Sequence, residues 1–240
     1  LETLHHAYPA AQLDLLVRKG NEGLFRAHPY LHRVLVWDKK KEKYRGLLRL
    51  LREIRTTRYD LLLNAQRYAS TGFLTAFSGA NHTAGYNENP LSFAFSSRVR
   101  HRMAEGVHEM HRLHDLLPEP LAKLPLHRPR LYPSPHDYAA VAPYQQRPYV
   151  CIAPASVWFT KQVPLQKWAE LIRQLPTPYT VYLLGAPGDA PLAAALQAEV
   201  GASFPLVSLC GKLDFLASAA LMQGAVMNYV NDSAPMHLCS

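Results

Sequence analysis

A polar turn close to the end of the chain, Asn-Asp-Ser-Ala-Pro-Met-His at residues 231–237, has the residue types of an anion-binding site. The mostly apolar run 225–230 before it predicts a buried strand. Asp232 and Ser233 favour the N-cap of a helix, and Pro235 is tolerated in a first helical turn because its missing N–H has no partner there. We therefore expect a helix whose free N–H groups and positive dipole end can bind a phosphate. A purely structural turn is the alternative.

Two other loops carry side chains that would complete such a site. The loop 154–163 contains the hydroxyls of Ser156 and Thr160 and the ammonium of Lys161, and a glycine-containing loop further on ends at Asp189. A lysine beside a helix N-terminus suits a diphosphate, because one supplies charge and the other supplies directed N–H donors. The carboxylate could hold a pair of ribose hydroxyls. For Lys161, a solvated loop lysine is the alternative interpretation.

The apolar runs of the second half predict the elements that bring these loops together. Strands are expected at 149–153, 180–184, 206–209 and 225–230, and amphipathic or alanine-rich helices lie between them. Strands that alternate with helices form a parallel sheet, and open parallel sheets bind ligands at the carboxyl ends of their strands. The sequence therefore places the three loops at one edge of one sheet.

The first half has the same alternation, with a basic character. Strands are predicted at 13–17, 33–37, 59–64 and 82–86, and helices at 43–55, 71–78 and 103–117. Residues 118–148 contain eight prolines and mark the predicted boundary between a first domain, 1–148, and a second domain, 149–240. Three histidines, His108, His111 and His114, lie in the last of these helices. Their spacing spreads them around the helix, so no metal site is expected.

Charge is unevenly distributed between these halves. Residues 1–148 hold 22 of the 26 Lys and Arg and 13 of the 18 Asp and Glu, whereas residues 149–240 hold 4 and 5. The first half is therefore expected to face an anion. The candidates that contact it are Lys40, Lys41 and Lys43, which begin a helix where positive charge opposes the dipole, and Gln66 and Arg67, which follow a strand. A solvated helix start is the alternative for the lysines.

Several classes of protein are excluded by what the sequence lacks. No run approaches the roughly 18–20 apolar residues that span a bilayer, and three widely separated cysteines form no metal or disulfide framework. We expect a reducing, cytoplasmic environment. Neither half has the glycine fingerprint of nicotinamide or flavin enzymes, and there is no P-loop or Gly-x-Ser-x-Gly nucleophile elbow.

The loop Ala-Pro-Ala-Ser-Val-Trp-Phe-Thr-Lys-Gln-Val-Pro at 153–164 resembles the donor-site loop of the bacterial ADP-heptose:lipopolysaccharide heptosyltransferases, glycosyltransferase family 9. Further segments are similar to that family in the same order: Leu-Gly-Ala-Pro at 184–187, Leu-Cys-Gly-Lys-Leu at 209–213, the turn 231–237, and in the first half Arg-Tyr-Asp at 58–60, Ala-Gln at 65–66 and Gly85. The resemblance covers essentially the whole chain.

The resemblance implies an α/β fold of two Rossmann-like domains that face a cleft, the GT-B type. It implies an inverting, metal-independent transferase that needs no cofactor and moves heptose from ADP-heptose to the lipopolysaccharide inner core. The enzyme would be a monomer in peripheral contact with the cytoplasmic face of the inner membrane. Donor-binding residues carried over by position are Ser156, Thr160, Lys161, Asp189, Asp232, Ser233, Ala234 and His237. The acceptor would meet the basic start of the helix 43–55.

The same resemblance marks a departure. In the family the general base is an aspartate in a Gly-Asp turn after the first strand, and this chain starts in the helix that follows that turn. We therefore expect the base to lie before Leu1 and both domains to be incomplete in this chain. A non-catalytic module that binds nucleotide-sugars or anionic glycans remains an alternative. A nucleic-acid binder is disfavoured, because the basic side chains are scattered without interleaved aromatic residues.

Overall fold

The computed structural model describes residues 1–102, 106–176, 179–202 and 204–239. The chain forms two compact units. The first unit consists of Leu1–Glu22 and Pro29–Arg130, and the second unit consists of Gly23–His28 and Leu131–Ser240. A short piece from the beginning of the chain therefore belongs to the second unit, which the sequence patterns do not predict.

The first unit contains five parallel strands in two sheets. Strands β1 (Leu13–Arg18) and β2 (Leu31–Trp37) pair with each other, and β3 (Leu61–Asn64), β4 (His82–Tyr86) and β5 (Ser97–Val99) form a separate sheet in that order. The helices of this unit are α1 (Glu2–Ala7), α2 (Lys43–Thr57), α3 (Ala69–Ala76) and α4 (Glu109–His114), with short 3₁₀ turns at Ser92–Ala94 and Leu121–Lys123. The short strand β5 has no counterpart among the predicted strands.

Helix α2 contributes buried side chains to the hydrophobic core of the first unit. Its apolar residues recur every three or four positions, and Leu50 and Ile54 are buried against Leu35 and Trp37 of β2 and Leu74 of α3. The helix ends at Arg58, which adopts the left-handed conformation with a φ of 54°. One stripe of α2 therefore packs against strand β2 and helix α3, as the sequence period predicts.

The second unit is a single four-stranded parallel sheet with helices around it. Its strands are β6 (Tyr149–Ala153), β7 (Thr180–Leu183), β8 (Leu206–Ser208) and β9 (Met227–Val230), and the sheet order is β8-β7-β6-β9. The helices are α5 (Pro135–Val141), α6 (Leu165–Gln174), α7 (Ala190–Val200), α8 (Phe215–Gln223) and α9 (Ala234–Cys239), with 3₁₀ turns at Glu22–Phe25, Ala142–Tyr144, Phe159–Lys161 and Pro187–Asp189.

Strand β6 lies at the centre of this sheet and is buried along its whole length. Alternate side chains of β6 pack into two different hydrophobic cores, with Cys151 and Ala153 on one face of the sheet and Val150 and Ile152 on the other. A strand covered on both faces is expected to read as a continuous apolar run, and Tyr-Val-Cys-Ile-Ala does. This is why the sequence alone locates β6 to the residue.

Two regions differ from the sequence-based expectation. Helix α4 spans only Glu109–His114 of the predicted 103–117, of which 103–105 lie outside the described residues. The proline-rich region, predicted only as a boundary between domains, contains α5. Ser134 caps this helix in a capping box with Asp137, and Pro135 occupies its first turn, where proline is tolerated. Among the described helices, none is long and apolar enough to cross a membrane.

Candidate anion-binding sites

The strand order of the second unit's sheet changes direction at β6. From β6 the chain adds β7 and then β8 on one side, and it then returns to place β9 on the other side. In parallel α/β sheets such a switch point leaves a crevice at the carboxyl ends of the two strands, where ligands bind. Here the crevice lies between the loop 154–163 after β6 and the turn after β9. The loop after β7 lies one strand further along.

Lys161 and Asp232 meet across this switch point. The Lys161 Nζ lies 2.5 Å from Asp232 Oδ2, and the two side chains are 43% and 54% exposed. Lys161 therefore has a carboxylate partner on the turn after β9, although its side chain is still largely exposed to solvent. An ion pair this exposed contributes at most about 1 kcal/mol, so an anionic ligand can replace the carboxylate at little cost.

A buried amide, Asn231, positions the loop on which Lys161 lies. Its side chain is attached to both ends of that loop, since Nδ2 donates to the Pro154 carbonyl at 2.6 Å and Oδ1 accepts from the Val163 N–H at 3.4 Å. Asn231 is 3% exposed. Sequence reasoning placed Asn231 within the turn but gave it no role, although an asparagine directly after a buried strand is a usable signal.

The remaining residues of the turn leave donors free. Among the described residues, none accepts a hydrogen bond from the backbone N–H of Asp232, Ser233 or Ala234. The Ser233 hydroxyl donates to the Asn231 carbonyl at 3.3 Å, and the Asp232 carboxylate is paired with Lys161. The sequence predicts that Asp232 or Ser233 caps α9, but neither side chain does so in the structure. His237 is exposed within α9.

The other predicted donor residues lie in the loops after β6 and β7. Thr160 is exposed in the 3₁₀ turn that contains Lys161, and the carbonyl of Ser156 accepts from Gln162 Nε2 at 2.7 Å. Asp189 lies in the loop after β7, where its Oδ2 accepts from the Ala186 N–H at 2.7 Å. One carboxylate oxygen of Asp189 therefore stabilises its own loop, and the other has no donor among the described residues.

A basic cavity of about 480 Å³ occupies the carboxyl ends of β1 and β2 in the first unit. Its lining residues are Arg18, Lys19, Asn21, Asp38, Lys39, Lys40 and Lys41. Two of the three predicted lysines are therefore in the cavity. Lys43 is not part of its lining; it begins α2, with its Nζ 5.2 Å from the ring centre of Tyr44.

The single carboxylate of the cavity organises its backbone. Asp38 Oδ1 accepts from the N–H groups of Lys40 and Lys41, both at 3.1 Å, and Oδ2 lies 3.1 Å from the ammonium of Lys19. The Lys41 N–H, together with Lys19, lowers the pKa of Asp38 below its usual value. This carboxylate therefore stays ionised while the ammonium groups of Lys40 and Lys41 remain available for an anion.

Lys39 is the most constrained cation of the cavity. Its Nζ lies 4.4 Å from the ring centre of Trp37 and 5.6 Å from that of Tyr68, and 3.5 Å from Ser70 Oγ. Burial and the neighbouring Arg18 lower the pKa of Lys39. Sequence reasoning did not include Arg18, Lys19 or Asn21. These residues lie at the end of β1 or just after it, and they join the other lysines only when β1 and β2 pair.

Gln66 and Arg67 follow β3 as predicted, with exposed side chains. Their loop is held by Asn89, which is buried and donates from Nδ2 to the carbonyls of Gln66 and Tyr68 at 3.1 and 3.0 Å. The structure therefore separates the five predicted acceptor residues into a cavity pair (Lys40 and Lys41), one helix start (Lys43) and one exposed loop pair. None of the described His, Cys, Asp and Glu side chains gathers into a group of three that could hold a metal, and His108 instead caps α4 through Nδ1.

The fold and these sites define a class of protein. The chain is an α/β protein with parallel sheets, with a lysine at the switch point of one sheet and a basic cavity at the carboxyl edge of another. Such an arrangement is suited to phosphorylated or otherwise anionic small molecules.

The chain belongs to glycosyltransferase family 9 (heptosyltransferase), whose sequence profile matches residues 47–240. It is 28% identical over 239 residues to lipopolysaccharide heptosyltransferase 1 of Pseudomonas aeruginosa, a match that covers 89% of this chain. The chain spans 64% of the length of that relative.

Solved structures of the same family share the fold. The glycosyl transferase family 9 protein of Veillonella parvula superimposes with a TM-score of 0.84 at 18% identity, over 99% of this chain and 71% of that chain. ADP-heptose LPS heptosyltransferase II of Escherichia coli gives a TM-score of 0.81 at 20% identity, over 99% and 75%. Heptosyltransferase WaaC of the same organism, solved with ADP, gives 0.74 at 20% identity, over 99% and 77%.

Proposed function

We propose that this protein is an inverting glycosyltransferase that transfers heptose from ADP-heptose to the inner core of lipopolysaccharide. The observation that carries the proposal is the Lys161–Asp232 pair at the switch point, in a chain of family 9. The enzyme would have the two-domain GT-B arrangement and act without a metal. It would work as a monomer in peripheral contact with the cytoplasmic face of the inner membrane.

The donor diphosphate would bind where Lys161 now meets Asp232. When the nucleotide enters, its phosphate oxygens replace the carboxylate at the ammonium group, and the free N–H groups of residues 232–234 donate to the remaining oxygens. Thr160 and Ser156 would contribute nearby hydroxyls, Asp189 the oxygen that accepts from the ribose, and His237 a further polar contact.

The reaction would be a direct displacement at the anomeric carbon. A base removes the proton of an acceptor hydroxyl, the oxygen forms the new bond to the anomeric carbon, and the bond between that carbon and the diphosphate oxygen breaks with inversion. Negative charge develops on the departing diphosphate, and Lys161 lies where it would stabilise that charge. No residue of this chain is assigned the role of the base.

The acceptor would be held by the first unit. The family resemblance implies an anionic sugar acceptor. The cavity offers the cations of Arg18, Lys19, Lys39, Lys40 and Lys41, with its one carboxylate already paired. Arg67 and Gln66 would contact the sugar from the loop after β3, and Lys43 would add to the local field. Clustered charge of one sign also accelerates encounter with an anionic acceptor.

Replacing Lys161 tests the donor site. We expect Lys161→Ala to weaken ADP binding at least tenfold, since a charge-assisted contact worth about 1.5–3 kcal/mol is lost, and to lower the transfer rate. Isothermal titration calorimetry with ADP measures the first effect. Lys167→Ala is the matched control, because Lys167 is an exposed lysine of α6 that pairs with Glu170. Unchanged ADP affinity in Lys161→Ala would remove the assignment.

Transfer itself distinguishes the enzyme from a non-catalytic binding protein of the same fold. ADP-heptose and isolated inner-core acceptors are incubated with the protein, and the mass of the acceptor is followed. An added heptose and released ADP are expected. Tight binding of ADP-heptose with no change in acceptor mass would favour the binding protein instead.

A further inference from the structure

The solvent-facing side of helix α2 combines arginines with two large apolar side chains. Tyr44 and Leu48 lie one helical turn apart on this side, and they are 69% and 60% exposed. The exposed arginines beside them are Arg45, Arg49, Arg52 and Arg55. We call these six residues the outer face of α2. None of them lines the basic cavity, and the transfer chemistry proposed above uses none of them.

The period of the helix explains why the six residues share one side. At about 100° per residue, they fall within an arc of about 140° around the helix axis. The centre of that arc lies opposite Leu50 and Ile54, which are buried against β2 and α3. The packing of the inner side of α2 therefore turns the outer face toward solvent.

The outer face has positive charge and no carboxylate of its own. The one acidic residue within α2, Glu53, lies outside the arc and pairs with an arginine of β2 at 3.6 Å. Glu42, just before the helix, pairs with Arg49 at 3.0 Å. In the part of the chain that the structure describes, no carboxylate pairs with Arg45 or Arg52. The face is therefore complementary to an extended anionic surface.

We propose that the outer face of α2 is the surface by which this protein binds a bilayer of anionic phospholipids. The proposal rests on the peripheral membrane contact proposed above and assigns a surface to it. Leu48 and the ring of Tyr44 would enter the boundary between headgroups and acyl chains, while the arginines pair with lipid phosphates. Each cation near an anionic membrane surface raises the affinity about fivefold, so charge supplies most of the attraction.

Binding through this face would also bring the basic cavity to the membrane. Lys40 and Lys41 line the cavity and lie directly before α2 in the chain. Lipopolysaccharide, the acceptor proposed above, has a lipid part that lies in a membrane. The acceptor sugar would then reach the cavity while its lipid part stays in the bilayer.

A nucleic acid is the other anionic partner that such a face could meet, and the two apolar side chains disfavour it. Contacts to nucleic-acid phosphates need only cations, and unpaired bases stack on aromatic rings. Leu48 serves neither purpose, although it is exposed among the arginines. The ring of Tyr44 has the ammonium of Lys43 5.2 Å from its centre. An exposed leucine between arginines is suited to the lipid boundary instead.

Cosedimentation with vesicles tests the arginines. We expect binding to vesicles of phosphatidylglycerol and phosphatidylcholine, weakened by added salt, and no binding to phosphatidylcholine alone. Replacing both Arg49 and Arg52 by Gln is expected to weaken binding about thirtyfold. Replacing Arg98 and Arg100 by Gln removes the same charge from exposed residues of the first unit, and less than about a threefold loss is expected. Equal losses in the two double variants overturn the proposal, because net charge alone would then explain the binding.

Leu48→Gln tests whether the outer face enters the lipid. Glutamine forms helices well, so α2 is kept while the apolar contact is lost, and vesicle binding is expected to weaken about fivefold. Leu113→Gln is the matched control, because Leu113 is a 43% exposed leucine of α4 in the same unit. Wild-type vesicle affinity in Leu48→Gln overturns the proposal. Tighter binding to duplex DNA than to vesicles, unaffected by Leu48→Gln, would replace the membrane by a nucleic acid.

The outcomes also distinguish this proposal from the function on which it rests. ADP binding and transfer to a soluble inner-core acceptor are expected to be unchanged when Arg49 and Arg52 are replaced, since neither belongs to the donor site or the cavity. If the wild-type protein transfers heptose but binds no vesicles, only the membrane surface is wrong. If it binds vesicles through the outer face but transfers no heptose, only the proposed function is wrong.

Discussion

At the scale of single residues, Asp14 on β1 is a carboxylate with several hydrogen-bond partners in the first unit. Arg33 donates to its Oδ2 from Nε and Nη2 at 3.1 and 2.6 Å, the Tyr59 hydroxyl donates to the same oxygen, and His32 Nδ1 lies 3.1 Å from Oδ1. Burial acts to raise the pKa of Asp14, but these hydrogen bonds outweigh it and the pKa is lowered. Burial and Asp14 together raise the pKa of Tyr59 to about 12.

We expect Asp14→Asn to make the stability of the first unit less dependent on pH. A carboxylate with a lowered pKa stabilises the fold above its unfolded pKa of about 3.9, and this contribution is lost as the pH falls through the folded value. At pH 7 the free energy of unfolding of the variant should therefore be about 2 kcal/mol lower than that of the wild type. Below about pH 4 the difference between the two free energies should be smaller. Urea unfolding followed by Trp37, with Trp158 and Trp168 replaced by Phe in both proteins, measures this.

The exposed carboxylate of Asp60 offers a matched comparison for that experiment. Asp60 accepts from Asn81 Nδ2 at 2.9 Å but stays at the surface, so Asp60→Asn is expected to change the unfolding free energy by less than about 0.5 kcal/mol. A pH profile of Asp14→Asn that parallels wild type would contradict the role given to Asp14.

At the scale of elements, helix α3 approaches the loop after β4 so closely that only glycine fits. A Cβ on Gly72 would lie 2.0 Å from Asn89 Oδ1. Asn89 in turn donates to the carbonyls of Gln66 and Tyr68 and accepts from the Leu91 N–H at 3.0 Å. The position of the loop that contains Gln66 and Arg67 thus depends on the contact between Gly72 and Asn89. The sequence of α3 alone does not predict this contact.

Gly72→Ala is expected to destabilise the protein by about 2 kcal/mol, because the new methyl group must displace Asn89 and its hydrogen bonds. Thermal unfolding followed by circular dichroism measures the loss. Gly23→Ala is the control, since no atom lies within 4 Å of the Cβ it would add. A melting temperature of Gly72→Ala equal to that of the control would show that the loop after β3 does not depend on Asn89.

At the scale of the whole molecule, the chain enters the second unit early through Gly23–His28. Arg26 attaches this segment to two carboxylates of that unit, with Nη2 2.6 Å from Asp137 Oδ1 and Nη1 2.9 Å from Asp214 Oδ2. Asp214 also caps α8 by accepting from the Ala217 N–H, and the buried Asp137 accepts from the backbone and hydroxyl of Ser134. One early arginine therefore connects the starts of α5 and α8.

Removing Asp137 should lower the stability of the second unit. Asp137→Ala deletes the carboxylate half of the α5 capping box and leaves Arg26 with one partner, so we expect a loss of about 2 kcal/mol. Guanidinium unfolding followed by Trp168 in a Trp37→Phe, Trp158→Phe background reports on this unit. Glu170→Ala removes an exposed carboxylate of α6 and should leave the midpoint unchanged. Equal midpoints for the two variants would mean that Arg26 is held by Asp214 alone.

The alternation of strands and helices was predictable because it depends on local patterns. The second-unit strands β6, β7 and β8 begin at the predicted residues, and α2 begins at its predicted residue, since each lies in a local apolar or amphipathic run. Elements without such a run were less predictable. Strand β5 is three residues of Ser-Arg-Val with no hydrophobic period, and α4 ends far short of its predicted length.

The sequence predicts candidate site residues one by one, but it does not predict their partners. By itself it determined the α/β class of the fold and the family, because these follow from local pattern and motif, and it predicts a role for Lys161 and the turn 231–237. Only the tertiary structure decided that Lys161 pairs with Asp232, that Asn231 holds the loop 154–163, and that Arg18 and Lys19 join the lysines in one cavity. The physical reason is that strand order and packing bring together residues that are distant in sequence, and local propensity carries no information about them.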